Sequence, residues 1–488
     1  MKKDHAARNP GTRPQSATGE EVHPIMATLS TYMSAAAGRK LPDSVIKETK
    51  HHILDTIAAM VSGAELKPGL HAIRFARAYG GEKIATVVGA DFLTGPIEAA
   101  MANGMLANAD ETDDNYSTGG AHPGCAIVPA ALAIGEKNGI DGTRFIRAVA
   151  LGYDVGLRAF KLVAKGGVLS DTHNIVGTFG ASAACGCAMA LDTPQMRTLI
   201  DYASQQAGAG IGAWRRDTEH VEKSFMFGGM GARNGVTAAM FVQAGWTGVN
   251  DVFSGPGNLF QSYAPNVDPG ILVHKLGEEY EVQKTIIKKW STGGPIQSPL
   301  EAVSLIRERR PFEADDVRRV TIRVATSAAD KIDDSGMVNL SMQYLIAVML
   351  IDKTLSFKAA HDEPRMHDPA VVRQKAKIQV IADESLERLL PKRVAVVDIT
   401  FSDGTTQTER NDTVRGSPEN PMTSEEVTTK ARDLMAPVLG SEKCAALIEK
   451  IFALEDVKNI AALRPLLQQA SANLRRQPPS GADVGAQS

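Results

Sequence analysis

The chain has 488 residues, 53 Lys and Arg against 56 Asp and Glu, a net charge of −3, 43% apolar residues and 22% charged ones. That balance is ordinary for globular proteins and excludes disordered and fibrous classes, and without a basic surplus nothing points to nucleic acid as a partner. The length exceeds what one hydrophobic core usually serves, so two domains are expected.

Aromatic residues are scarce at 5%, while small residues crowd segments such as Ala181–Ala184, the texture of closely packed helices rather than of a sandwich. The four cysteines, Cys125, Cys185, Cys187 and Cys444, are too few and too irregularly spaced for a disulfide framework and read as buried thiols. Residues 1–21 mix Lys, Arg and Pro without an apolar run, so a disordered tail is expected there, with no signal peptide, no membrane anchor and a cytoplasmic address.

In chain order, the first strong helix follows Pro42 and Asp43, buries Val45, Ile46, Ile53, Leu54, Ile57 and Val61, and stops at Gly63. His51 and His52 point about 100° apart on it, which suits structural roles better than a shared ligand. Further helices are expected over Ile97–Asn108, Ala126–Asn138, Gly142–Phe160, Val176–Leu191, Pro194–Ala207 and Ala232–Gln243. Together these make a helical domain over residues 22–277. The texture then changes: Val317, Val320, Ile322 and Val324 form a strand, and Val394–Phe401 leads through Asp403-Gly404 into Thr405–Thr408, a hairpin signature. A helix is expected over 299–309, and residues 278–407 read as an inserted α+β lid. After Pro418 and Pro421 a helix with apolar positions Val427, Ala431, Leu434 and Met435 returns to the first domain, over residues 408–468. The polar tail 469–488 is expected to be disordered.

The densest chemistry is Asp110-Glu111-Thr112-Asp113-Asp114, four carboxylates in five positions, followed by Gly119-Gly120 and His122-Pro123. Between two buried helices, such a loop can orient His122, and the neighbouring carboxylates favour its imidazolium form. A rival reading is an aspartate-rich Mg²⁺ site for a diphosphate, which needs a second acidic cluster that the sequence lacks. His173 stands at the mouth of a small-residue helix, where anions bind readily, and Lys223 precedes Gly228-Gly229-Met230-Gly231. Those glycines read as close helix contacts, since no strand precedes them and no GKS or GKT follows. Lys288, in the turn Lys288–Gly294, adds a second cationic cradle.

In this order the segments resemble the MmgE/PrpD family, over roughly residues 22–465. Glu111-Thr112-Asp113-Asp114 falls on the family's acidic motif, His122-Pro123 on its His-Pro, and Val128-Pro129-Ala130-Ala131 follows; Gly152-Tyr153-Asp154, His173, Lys223, Lys288 and Ser341-Met342-Gln343-Tyr344 continue the likeness. The resemblance implies a mainly α fold with an inserted α+β domain, a homodimer without cofactor or metal, and a site between the domains. It assigns His122, Glu111, Lys223 and Tyr344 to catalysis, and His173, Lys288, Asp113 and Asp114 to binding a small di- or tricarboxylate. The implied reaction is a lyase elimination like that of 2-methylcitrate dehydratase, with Glu111 orienting His122 and protonated His173 beside the lysines; epimerisation and decarboxylation are the alternatives. Three positions depart from the pattern: Glu111 stands in place of aspartate, Asn108 of a frequent histidine, and Gly293 of the histidine of decarboxylase-like members. Outside the family, a Mg²⁺-dependent isoprenoid-type enzyme and a non-catalytic carboxylate-binding protein are the remaining expectations.

Overall fold

The computed structural model describes residues 22–169, 171–208 and 211–469. The expected tails 1–21 and 469–488 fall outside these residues, except for Gln469, whose side-chain amide donates to Glu65 at 3.1 Å.

Two large hydrophobic cores account for most of the buried apolar side chains among the described residues. The larger is built by residues between Met26 and Ile287 and, after a long gap in sequence, by Met422 to Leu467. Its centre is the helix His173–Ala188, every residue of which beyond His173 is buried. That is possible because from Gly180 to Ala188 its sequence is Gly, Ala, Ser and Cys throughout, so neighbouring backbones approach closely. Helices Gly142–Gly166, Gly124–Asn138 and Met230–Gln243 pack around it. The glycines of 228–235 are indeed helix contacts: a Cβ on Gly104 would come within 2.6 Å of the Gly228 carbonyl carbon and oxygen. The helix Ser424–Leu439 returns from the far end of the chain and packs on Asp43–Gly63.

The smaller core runs from Trp290 to Phe401. It holds a four-stranded sheet in the order Ile378–Asp383, Val317–Ala325, Ala395–Phe401, Thr406–Asn411, with the first pair parallel and the other two antiparallel. The hairpin at Asp403-Gly404 is present, Gly404 taking the positive φ of 84° that its turn requires. Helices Gly294–Arg309 and Met342–Asp352 pack in the same core. The first of these starts five residues earlier than Pro299 suggests. Pro295 occupies its first turn, and Pro299 lies inside it, leaving only the Pro295 carbonyl without its usual partner. The four cysteines are free and buried. Among the described residues no helix is long and apolar enough to cross a membrane.

Candidate active site

The acidic loop leaves helix Pro96–Ala107 and enters a short strand, Asn115–Tyr116, which pairs antiparallel with Thr285–Ile286. The register Asn115 to Ile286, continued by two residues, sets Asp113 opposite Lys288; their charged groups stand 3.7 Å apart. A turn with positive φ at Gly119 and Gly120 then folds the chain back, and the Tyr116 N–H donates to the Ala121 carbonyl at 2.8 Å. His122 is thereby delivered beside the loop it follows.

The four carboxylates diverge to different partners. Asp110 stands 2.8 Å from His361 Nε2 of the lid. Glu111 pairs with Lys223 and stands 3.9 Å from Lys288, whose ammonium also donates to the Glu111 carbonyl at 2.7 Å. Asp113 accepts from Asn108 at 2.7 Å and meets His122 Nδ1 at 3.0 Å. Asp114 is turned into the helical core, accepting from Tyr153 at 2.6 Å and the Gly124 N–H at 3.0 Å, with His52 Nδ1 at 2.7 Å. Among the described residues no three His, Cys, Asp or Glu side chains converge in a metal-holding arrangement.

These partners fix the protonation pattern. Burial opposes ionisation of Glu111, but the Lys223 and Lys288 ammonium groups outweigh it and hold the carboxyl well below its ordinary range. Burial likewise opposes ionisation of Asp113, and His122 with Lys288 brings it down to about 2. An ionised Asp113 only accepts, so His122 Nδ1 carries the hydrogen between them and Nε2 is the ring nitrogen outside that bond. Nε2 has no hydrogen-bond partner among the described residues. The carboxylate that orients His122 is thus Asp113, not Glu111, whose longer side chain reaches past it to the lysines.

His173 repeats the pattern, with Nδ1 2.9 Å from Asp171, itself bound by Trp214 Nε1 at 2.7 Å. Burial lowers the His173 pKa and Asp171 only partly restores it, so this imidazole favours its neutral form rather than the expected cation. Phe227 joins the group: its ring centre lies 3.9 Å from that of His173, 5.1 Å from that of His122 and 5.3 Å from the Lys223 ammonium. It sits in a π-helical turn, Phe225–Gly229, that begins two residues after Lys223, a rare wide turn that re-aims side chains and recurs at functional sites.

Seven of the eight residues singled out in the sequence lie in or against this loop, with Asp114 on its buried side. Tyr344 stands apart. Its buried hydroxyl donates to the Ala359 carbonyl at 2.7 Å, with the Asp362 carbonyl at 3.2 Å, so it braces the segment carrying His361. Sequence reasoning passed over His361, Lys430, Arg393 and His220. Lys430, on the returning helix, binds Asp55 at 2.6 Å and the Thr112 carbonyl at 3.0 Å. His220 is buried with neither ring nitrogen hydrogen-bonded among the described residues and takes a φ of 58° three residues ahead of Lys223; a left-handed histidine ahead of a lysine leaves no signature in sequence.

The chain is similar to known proteins over most of its length. The MmgE/PrpD N-terminal domain matches residues 27–271 and the MmgE/PrpD C-terminal domain residues 290–455. Over 452 residues the chain is 25% identical to the cis-aconitate decarboxylase of Mus musculus, covering 88% of this chain and 91% of the mouse protein. The Homo sapiens enzyme of the same name is 24% identical over 468 residues, 92% of this chain and 96% of that one. That of Aspergillus terreus is 24% identical over 490 residues, 93% and 98%.

Proposed function

The chain belongs to the MmgE/PrpD family, and on that premise we propose that it is a cofactor-independent lyase acting on a small di- or tricarboxylate. The observation that supports this most is the meeting of His122, oriented by Asp113, with the ammonium pair at Glu111. Making or breaking a bond to carbon beside a carboxylate places further negative charge on that carboxylate, and cations fixed in a water-poor site stabilise it as it forms. On this reading Lys223 and Lys288 do this, and the Nε2 of His122 moves the proton. His173, neutral and stacked on Phe227, contributes hydrogen bonding and shape.

The names of the mouse, human and A. terreus relatives favour CO₂ as the leaving group. In that reaction the electron pair of the breaking C–C bond spreads onto the conjugated carboxylate, and His122 then delivers a proton to carbon. Gly293 favours a second reading, elimination of water as in 2-methylcitrate dehydratase, because the histidine of decarboxylase-like members is missing there. Epimerisation shares the same first proton transfer. A homodimer belongs to the proposal on family likeness alone, and light scattering of the purified chain tests it. The reaction is tested with cis-aconitate, citrate, 2-methylcitrate and amino-dicarboxylates in D₂O with EDTA, followed by proton NMR. CO₂ release marks the decarboxylase, an alkene product from a hydroxy acid the dehydratase. A protein that binds these acids yet exchanges no carbon-bound proton overturns the enzyme reading.

A further inference from the structure

Arg393 lies just ahead of strand Ala395–Phe401, where the lid meets the helical domain. Its guanidinium rests on two glycines of the site. A Cβ at Gly294 would fall within 2.6 Å of the Arg393 Cζ, and one at Gly119 would stand 3.9 Å from Nη2. Gly119 belongs to the turn that delivers His122, and Gly294 follows the turn that begins at Lys288. The side chain therefore spans the gap between the loop that delivers His122 and the loop that carries Lys288.

Unlike the other cations here, Arg393 is unspent. Lys223 and Lys288 are matched by Glu111 and Asp113, whereas the half-buried Arg393 makes no hydrogen bond or ion pair with any described residue. The charged group that bears on it is the Glu111 carboxylate, already held by the two lysines. Keeping a guanidinium partly desolvated without a partner is costly, and its planar fork of N–H groups matches a carboxylate in bidentate fashion. Beside it opens a cavity of about 400 Å³ lined by Thr118, Gly119, Ser327, Lys331 and Arg393 itself, within the range of small-ligand sites.

We propose that Arg393 binds a carboxylate of the substrate remote from the reacting carbon, and that position 294 is glycine to leave the guanidinium room. This rests on the reading of the substrate as a polycarboxylate. It also offers this chain's own solution beside Gly293: a positive fork entering from the lid strand over a side-chain-free turn.

The test is calorimetric binding of propane-1,2,3-tricarboxylate, which has neither a hydroxyl nor a double bond to react, so that affinity is read without turnover. Arg393→Gln should weaken binding about 10–100-fold, the worth of charge-assisted hydrogen bonds, and Arg393→Lys should restore part of it. Gly294→Ala, which keeps the arginine but occupies its place, should weaken binding to a similar extent, and the double variant should lose little more than either. Circular dichroism and the unfolding midpoint of each variant check the fold. Wild-type affinity in a folded Arg393→Gln protein overturns the proposal, as does a wild-type chain that does not bind the probe. A wild-type chain that binds through Arg393 yet turns over no carboxylate leaves this assignment standing and sinks the lyase reading instead.

Discussion

Replacing Lys223 by methionine keeps the length of the side chain and its contact with Phe227 but removes the ammonium that faces Glu111. Both side chains are largely buried, at 9% and 13% exposure, so the loss is that of a buried pair stripped of one member, about 3–5 kcal/mol. Lys288 remains 3.9 Å from the same carboxylate and retains part of the stabilisation, which brings the expected cost at pH 8 to about 2–3 kcal/mol. The pH dependence sharpens the prediction. In the wild type the Glu111 pKa lies below its unfolded value, so its contribution is complete above the ordinary carboxyl range and is lost as pH falls through the folded pKa. Without Lys223, burial dominates and raises that pKa, so protonation at pH 5 relieves the variant and the destabilisation there should be smaller by about 1 kcal/mol. Urea unfolding followed by circular dichroism at pH 5 and pH 8 measures both numbers. Because the same ammonium serves the substrate, KM should rise and kcat fall together. Equal, sub-kilocalorie destabilisation at both pH values with unchanged kinetics would refute the electrostatic account of the site.

His122→Gln should leave folding and carboxylate binding intact and lower kcat by about 10²–10⁴, the usual worth of a positioned acid–base group; near-wild-type turnover shifts the proton to another residue. Tyr344→Phe removes a brace on the His361 segment rather than a group at the site, so a loss of kcat of about 10-fold or less is expected, and a larger one at unchanged stability would place the hydroxyl on the substrate. Gly228→Ala drives a methyl group into the Gly104 carbonyl; calorimetry should register a destabilisation of about 1–3 kcal/mol, and an unchanged melting temperature would contradict the close approach of these backbones. The His361 pKa is raised against burial by Asp110, and that of Asp110 is lowered against burial by His361. Their link should therefore be strongest between the two ordinary values, weakening as pH falls through the folded pKa of Asp110 and as it rises through that of His361. Proteolysis of the lid junction across pH, wild type against His361→Asn, reads this; identical profiles would dismiss it.

The helices of the first domain were legible because their apolar period and caps are local properties, and errors there are mostly of length: Gly142–Gly166 runs six residues beyond Phe160. The strand Ile378–Asp383 was not, since five of its six residues are exposed or only partly buried and its place is set by pairing with Val317–Ala325. At the site, the density of carboxylates marked 110–114 and the His-Pro pair marked 122. What the sequence withheld was the matching of partners. Whether Asp113 or Glu111 meets His122 depends on side-chain reach and on Lys288, 177 residues from Glu111. Arg393 and His361 come from lid segments with no local pattern at all.

The way the acidic loop is held bears on when in the life of the chain it can exist. Asp114 is gripped by His52, Glu111 by Lys223 and Lys288, Asp110 by His361, and the Thr112 carbonyl by Lys430. A nascent chain synthesised from its N-terminus exposes these residues in that order, so the loop spends most of translation with its charges unmatched and gains its last clamp only when helix Ser424–Leu439 has emerged. A chain cut short before that helix would carry His122 and both lysines yet lack the clamp on Thr112, and premature termination would yield protein without competent acid–base machinery.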